Sequence, residues 1–183
     1  MLALMLSLSL AQAPTPVVVE LFSSRDCSRC APVLASLEVP GIELISLVHP
    51  AGDALRSGLI VDGRSQVSSE QLRAEVITSA ERGQRPALNL GVKREGLRIT
   101  AQVEGVRARR TELFLVEAGI VRQHMVGSPC DGEGEFCPLA SSTTRRVAHF
   151  QLDPRWNVNQ LTVVAVAREG DAGPIISGAV KSL

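Results

Sequence analysis

Val17-Val18-Val19-Glu20-Leu21-Phe22-Ser23-Ser24 is a β-branched and apolar run interrupted by one acid, and Cys27-Ser28-Arg29-Cys30 follows it almost at once. A run of this kind suits a strand buried on both faces, so the rest of the chain must supply cover on two sides. Residues 28–38 carry Cys30, Val33, Leu34 and Leu37 at helical spacing, with Pro32 in the first turn, where its missing N–H costs little. Pro40-Gly41 ends that predicted helix. Residues 42–49 read as a second apolar strand, with Ile42, Leu44 and Val48 on one face and Ile45 and Leu47 on the other. Strand, helix and strand in this order form a βαβ unit, whose crossover is right-handed almost without exception.

Asp62-Gly63 lies between Gly58–Val61 and Ser65–Ser68, the pattern of a tight hairpin. Ser68 or Ser69 then caps a helix with Leu72, Val76 and Ile77 on one face, ending near Gly83. The order β-α-β-β-β-α resembles a thioredoxin-like core with its second helix deleted. Pro50 to Ser57 replaces that helix; crossing ~10 Å to the next strand takes only a few extended residues. The deletion leaves the second strand needing cover from elsewhere.

From residue 86 onward, apolar or alternating runs occur at 86–92, 97–104, 111–117, 119–126, 146–152, 160–167 and 174–180, separated by turn residues. Short strands without a helical period predict a β-sandwich. The expected fold class is therefore α+β: a truncated thioredoxin-like βαβββα-type module, residues 14–84, packed against a C-terminal β-sandwich, residues 85–183.

Residues 1–13, ending in Ala11-Gln12-Ala13, have the apolar core and small-x-small end of a signal peptide, although no Lys or Arg precedes the run. It is shorter than the roughly 20 apolar residues of a membrane span, so no stable membrane anchor is expected. Of the 183 residues, 45% are hydrophobic, which suffices for an ordinary core. With formal net charge zero and 3% aromatics, the chain lacks the basic and stacking surface that nucleic acid requires. Export would place the chain in the periplasm or outside the cell. There, four cysteines at positions 27, 30, 130 and 137 predict disulfides, with 27–30 and 130–137 the two close pairs among three connectivities.

Cys27 and Cys30 carry the strongest chemical signal. Helical i and i+3 positions stand about 5–6 Å apart between Cβ atoms, within reach of a disulfide. A helix N-terminus favours thiolate over thiol, with Arg25 and Arg29 adding to the effect and Asp26 opposing it. Cys27 is then the candidate attacking thiolate and Cys30 the resolving one. Two other readings stand beside this one: a permanent staple in a non-enzymatic binding or scaffold module, and a copper or zinc binder adding His49 to the thiolates. His49, at the end of the second strand, is a candidate base beside Cys27 or else a solvent-facing strand end. Glu20 either relays a proton beneath the motif, its pKa raised by desolvation, or occupies an edge position or pairs with an arginine. Cys130 and Cys137 close an eight-residue loop, and a structural disulfide there removes about 2.5 kcal/mol of unfolded-chain entropy. His124 and His149, inside predicted strands, read as structural.

The stretch Val17 to Leu34 resembles the opening motif of exported bacterial proteins grouped as domain of unknown function 1223, which share a Glu-Leu-Phe-[Thr/Ser]-Ser run leading into Cys-x-x-Cys. Leu47-Val48-His49 and Val61-Asp62-Gly63-Arg64 are similar to two later stretches of that family. The resemblance implies a thioredoxin-like fold without establishing a reaction. This chain departs from the pattern in lacking the aromatic segment after His49, in having Arg56-Ser57-Gly58 where the family has Thr-Pro-Gln, and in following Cys30 with Ala31-Pro32 rather than two prolines. The expected function is thiol–disulfide exchange with a thiol- or disulfide-bearing protein or small molecule, with no cofactor and no resident metal.

Overall fold

The computed structural model describes residues 16–22, 34, 36–50, 58–82, 85–127, 145–170 and 173–183. Val17–Phe22 forms β1 and Leu44–His49 forms β2, paired in parallel from Val17↔Leu44 to Phe22↔His49. On the other side of β1 lies β3, Gly58–Val61, antiparallel, followed outward by β4, Ser65–Val67. The Asp62-Gly63 turn joins β3 to β4, both residues taking positive φ (50° and 64°), as tight hairpin turns require. Ser68 and Gln71 exchange backbone and side-chain bonds one turn ahead of α1, Leu72–Glu81, which lays Leu72 and Val76 against β1 and β3.

All seven runs beyond residue 86 are strands: β5 Asn89–Glu95, β6 Arg98–Glu104, β7 Arg110–Glu117, β8 Ile120–Gly127, β9 Arg146–Gln151, β10 Leu161–Arg168 and β11 Ile175–Ser182. A short 3-10 turn, Val158–Gln160, leads into β10. Their arrangement overturns the expected fold class. The described residues are mostly β, 55% strand against 11% helix, with one α-helix among them, and the fold is not a thioredoxin-like α/β fold. Nor do the seven strands form a sandwich among themselves. β8 pairs in parallel with β2 at Val48↔Ile120, so one eight-stranded sheet runs β11-β10-β7-β8-β2-β1-β3-β4 and draws on both halves of the chain. Only β5, β6 and β9 form the second sheet. Of the predicted helix at 28–38, residues 28–33 and 35 lie outside the described residues.

The cause of this arrangement is visible in β2. With apolar residues on both faces it cannot serve as a sheet edge, and β8 supplies its second neighbour. The large sheet then curls on itself. Inside the curl, Val18, Ile45 and Leu47 of β1 and β2 meet Phe114, Val116, Val164 and Val166 of β7 and β10, together with Ile175. Across β1, Val17, Val19 and Leu21 pack beneath α1. Across β7 and β10, Leu113, Leu115, Leu161 and Val163 pack on the second sheet through Ile99, Val103 and Phe150. The strict alternation of β7 between these two cores follows from the two-residue period of a strand. No helix among the described residues is long and apolar enough to cross a membrane.

Candidate functional site

Strand periodicity sends Glu20 into the curl, on the same face as Val18, and sends His49 there beside Leu47. Glu20 is buried, and so is Glu112, which alternation places on the Phe114 face of β7. A carboxylate in such surroundings needs a partner, and Arg168 at the end of β10 is shared by both. Its Nη2 donates to Glu20 Oε1 at 2.6 Å and its Nε donates to Glu112 Oε2 at 2.6 Å. Arg110 adds a second cation to Glu112, donating from Nε to Oε1 at 2.8 Å.

Each carboxylate also has an imidazole. His49 Nε2 lies 3.4 Å from Glu20 Oε1, and His124 Nε2 lies 3.6 Å from Glu112 Oε1. Aromatic stacking also holds the rings. Phe22 stacks on His49 with centroids 4.2 Å apart, and Phe114 stacks on His124 at 4.5 Å and meets His49 edge-on at 5.6 Å. The result is two carboxylate–imidazole pairs bridged by one guanidinium. They differ in access: the His124 side chain is 37% exposed and that of His49 15%. Glu20 Oε2 and His49 Nε2 are buried without a hydrogen-bond partner among the described residues.

The electrostatics of Glu20 differ from the expectation. Burial pushes its carboxyl up, but His49 and Arg168 outweigh burial and hold it below the usual carboxylate range. Glu112 is treated alike: burial raises it, while His124 and Arg168 bring it down to about 2. Arg168 is disfavoured by burial, yet its two carboxylates raise its pKa. All three groups are therefore charged at neutral pH.

Of the residues singled out from the sequence, the structure brings Glu20 and His49 together at the carboxyl ends of β1 and β2. Glu20 is not at a sheet edge, since β1 lies between β2 and β3. It does pair with an arginine. Cys27, Cys30, Cys130 and Cys137 lie outside the described residues. His149 is exposed on β9 and faces Thr100, away from the cluster. Arg168 and Glu112 are not singled out by the sequence reading, and His124, read there as structural, stands beside Glu112. The available signal was a charge inside an apolar run: Glu112 among Thr111, Leu113 and Phe114, and Arg168 closing Leu161–Ala167.

No known family pattern matches the chain, and no curated protein matches it. Among solved structures, the chain is similar to a structural-genomics protein from Agrobacterium tumefaciens. The two share 11% identity over 93% of this chain and 95% of that one, with a TM-score of 0.52. This likeness extends to the fold alone. A weaker match, the MHC-like protein MILL2, has a TM-score of 0.29 at 13% identity, covering 63% of this chain and 40% of that one. Among the described residues, no group of three or more His, Cys, Asp or Glu side chains is placed to hold a metal ion.

Proposed function

We propose that the chain carries out thiol–disulfide exchange through Cys27 and Cys30, with His49 and Glu20 handling the protons. The observation that supports this most is the Glu20–His49 contact, with two polar atoms that have no hydrogen-bond partner among the described residues, at the end of the strand that leads into the motif. Cys27 follows Phe22 by five residues, a length of chain that spans at most about 17 Å.

In the forward direction the Cys27 thiolate attacks one sulfur of a partner disulfide. The partner's S–S bond breaks, a mixed disulfide forms, and the other partner sulfur leaves as a thiolate and takes a proton. Cys30, losing its proton to a base, attacks Cys27 and releases the second partner thiolate. Two electrons pass from the Cys27–Cys30 dithiol to the partner, which ends as a dithiol. The imidazole of His49 accepts the proton that must leave, and the ionised Glu20 carboxylate stabilises the imidazolium so formed. An oxidising location, periplasmic or secreted, suits this chemistry, and Cys130–Cys137 would serve there as a structural disulfide.

Thiol trapping across a redox titration tests the proposal. An exchanging pair equilibrates between about −120 and −270 mV, the range of known exchangers. A pair that stays oxidised below about −300 mV is a structural staple, and the proposal fails.

A further inference from the structure

Behind the Arg168 guanidinium stands Gly63. A β-carbon built on Gly63 would lie 2.6 Å from Arg168 Nη1 and 2.7 Å from the Gly173 carbonyl oxygen, closer than any real side chain sits. The end of an arginine ordinarily swings away from such a contact. Here it is pinned: the side chain is fully buried, Nε is bonded to Glu112, Nη2 to Glu20, and Nη1 points at Gly173 O from 3.5 Å. Any atom added at Gly63 must therefore displace the guanidinium relative to its carboxylates.

Asp62 fixes the turn that carries Gly63. Its backbone N–H donates to Val18 O at 2.8 Å, and its carbonyl accepts from Ile175 N–H at 2.8 Å. Its carboxylate, fully buried, accepts from Val18 N at 2.9 Å, from Arg85 and from Ser79 Oγ. Val18 lies two residues before Glu20 on the same face of β1, and Ile175 opens the strand beside β10, where Arg168 sits. The turn is thus bonded to the strand bearing the carboxylate and to the neighbour of the strand bearing the cation.

We infer that Gly63 is a positioning residue for Glu20: as the wall behind Arg168, held by Asp62, it sets the distance between guanidinium and carboxylate at the acid–base pair. The inference rests on the reading of Glu20–His49 as that pair. The groups facing Glu20 are Arg168 and His49, with Glu112, Arg110 and His124 one contact further away.

The test is a carbon-detected NMR titration of the Glu20 carboxyl in the full chain carrying Cys27→Ser, so that its outcome is separate from any exchange activity. Gly63→Ala is compared with Gly96→Ala. Gly96 has nearly the same φ, +59° against +64°, and open space around its β-position, so it carries the backbone strain without the collision. Gly96→Ala is expected to leave the Glu20 titration where it was. Gly63→Ala is expected to move it up by about half a pH unit or more, about threefold in the preference for the charged form. Asp62→Asn, which loosens the turn and adds no atom against Arg168, is the second variant; its lost negative charge by itself lowers the Glu20 pKa, so an upward shift there reports displacement of the guanidinium. A Glu20 titration not raised in Gly63→Ala, or in Asp62→Asn where the alanine variant does not fold, would overturn the inference and leave Gly63 as an ordinary turn glycine.

Discussion

Arg168 and Glu20 are 148 positions apart in sequence, yet Nη2 of one donates to Oε1 of the other at 2.6 Å inside the curled sheet. The same guanidinium holds Glu112, and each carboxylate stands beside an imidazole. This bridge joins β1 to β7 and β10 at the cluster proposed to serve Cys27 and Cys30.

Replacing Arg168 by methionine leaves two buried carboxylates without their shared cation. Removing one partner of a buried ion pair costs about 3–5 kcal/mol, and urea denaturation at neutral pH is expected to show a loss of that size. Replacing Arg168, Glu20 and Glu112 together by apolar residues is expected to recover most of it, because no buried charge remains uncompensated. A single variant as stable as the parent would mean that the bridge contributes nothing.

Acid is expected to weaken the fold through Glu112. Its folded pKa, about 2, lies below the ordinary 4.5, so its contribution is complete above pH 4.5 and is lost as pH falls toward 2. A depression of that size corresponds to about 3 kcal/mol. Glu20, lowered as well, adds with the same sign. Urea midpoints measured from pH 6 down to pH 2 are expected to fall in this window, and Glu112→Gln to flatten the curve.

Much of the local structure was legible in the sequence, because its causes are local. Asp62-Gly63 announced a hairpin since few other residue pairs tolerate two positive φ angles in succession, and the seven C-terminal runs announced seven strands. What the sequence did not show was which strands share a sheet. Alternation along β7 says that Leu113 and Phe114 point to opposite sides, but not what lies on either side. The Val48↔Ile120 pairing that merges the two halves depends on contacts between distant segments, and βαβ reasoning places only β1 beside β2. Glu20 and His49 stood out as polar residues at strand positions near the cysteines. A histidine inside a strand usually only packs, so the sequence marks His124 as structural. Its significance lies in Glu112 and Phe114, with which it shares no sequence pattern.

Phe114 is fully buried between the two imidazoles. Phe114→Ala is expected to cost about 3–5 kcal/mol of stability, as for other large core deletions. It is also expected to change the ring proton shifts of both His49 and His124, because one aromatic ring shields both. A change confined to one imidazole would contradict the stacked arrangement.

The most direct measurement is the pH dependence of alkylation at each cysteine of the fully reduced chain, followed by mass spectrometry for the parent, His49→Asn and Glu20→Gln. Cys27 is expected to react before Cys30, Cys130 and Cys137, at a pH below the about 8.5 of a free thiol, and both substitutions are expected to move it toward that value. Equal labelling of all four cysteines at ordinary alkaline pH, indifferent to His49 and Glu20, would contradict thiol–disulfide exchange at Cys27.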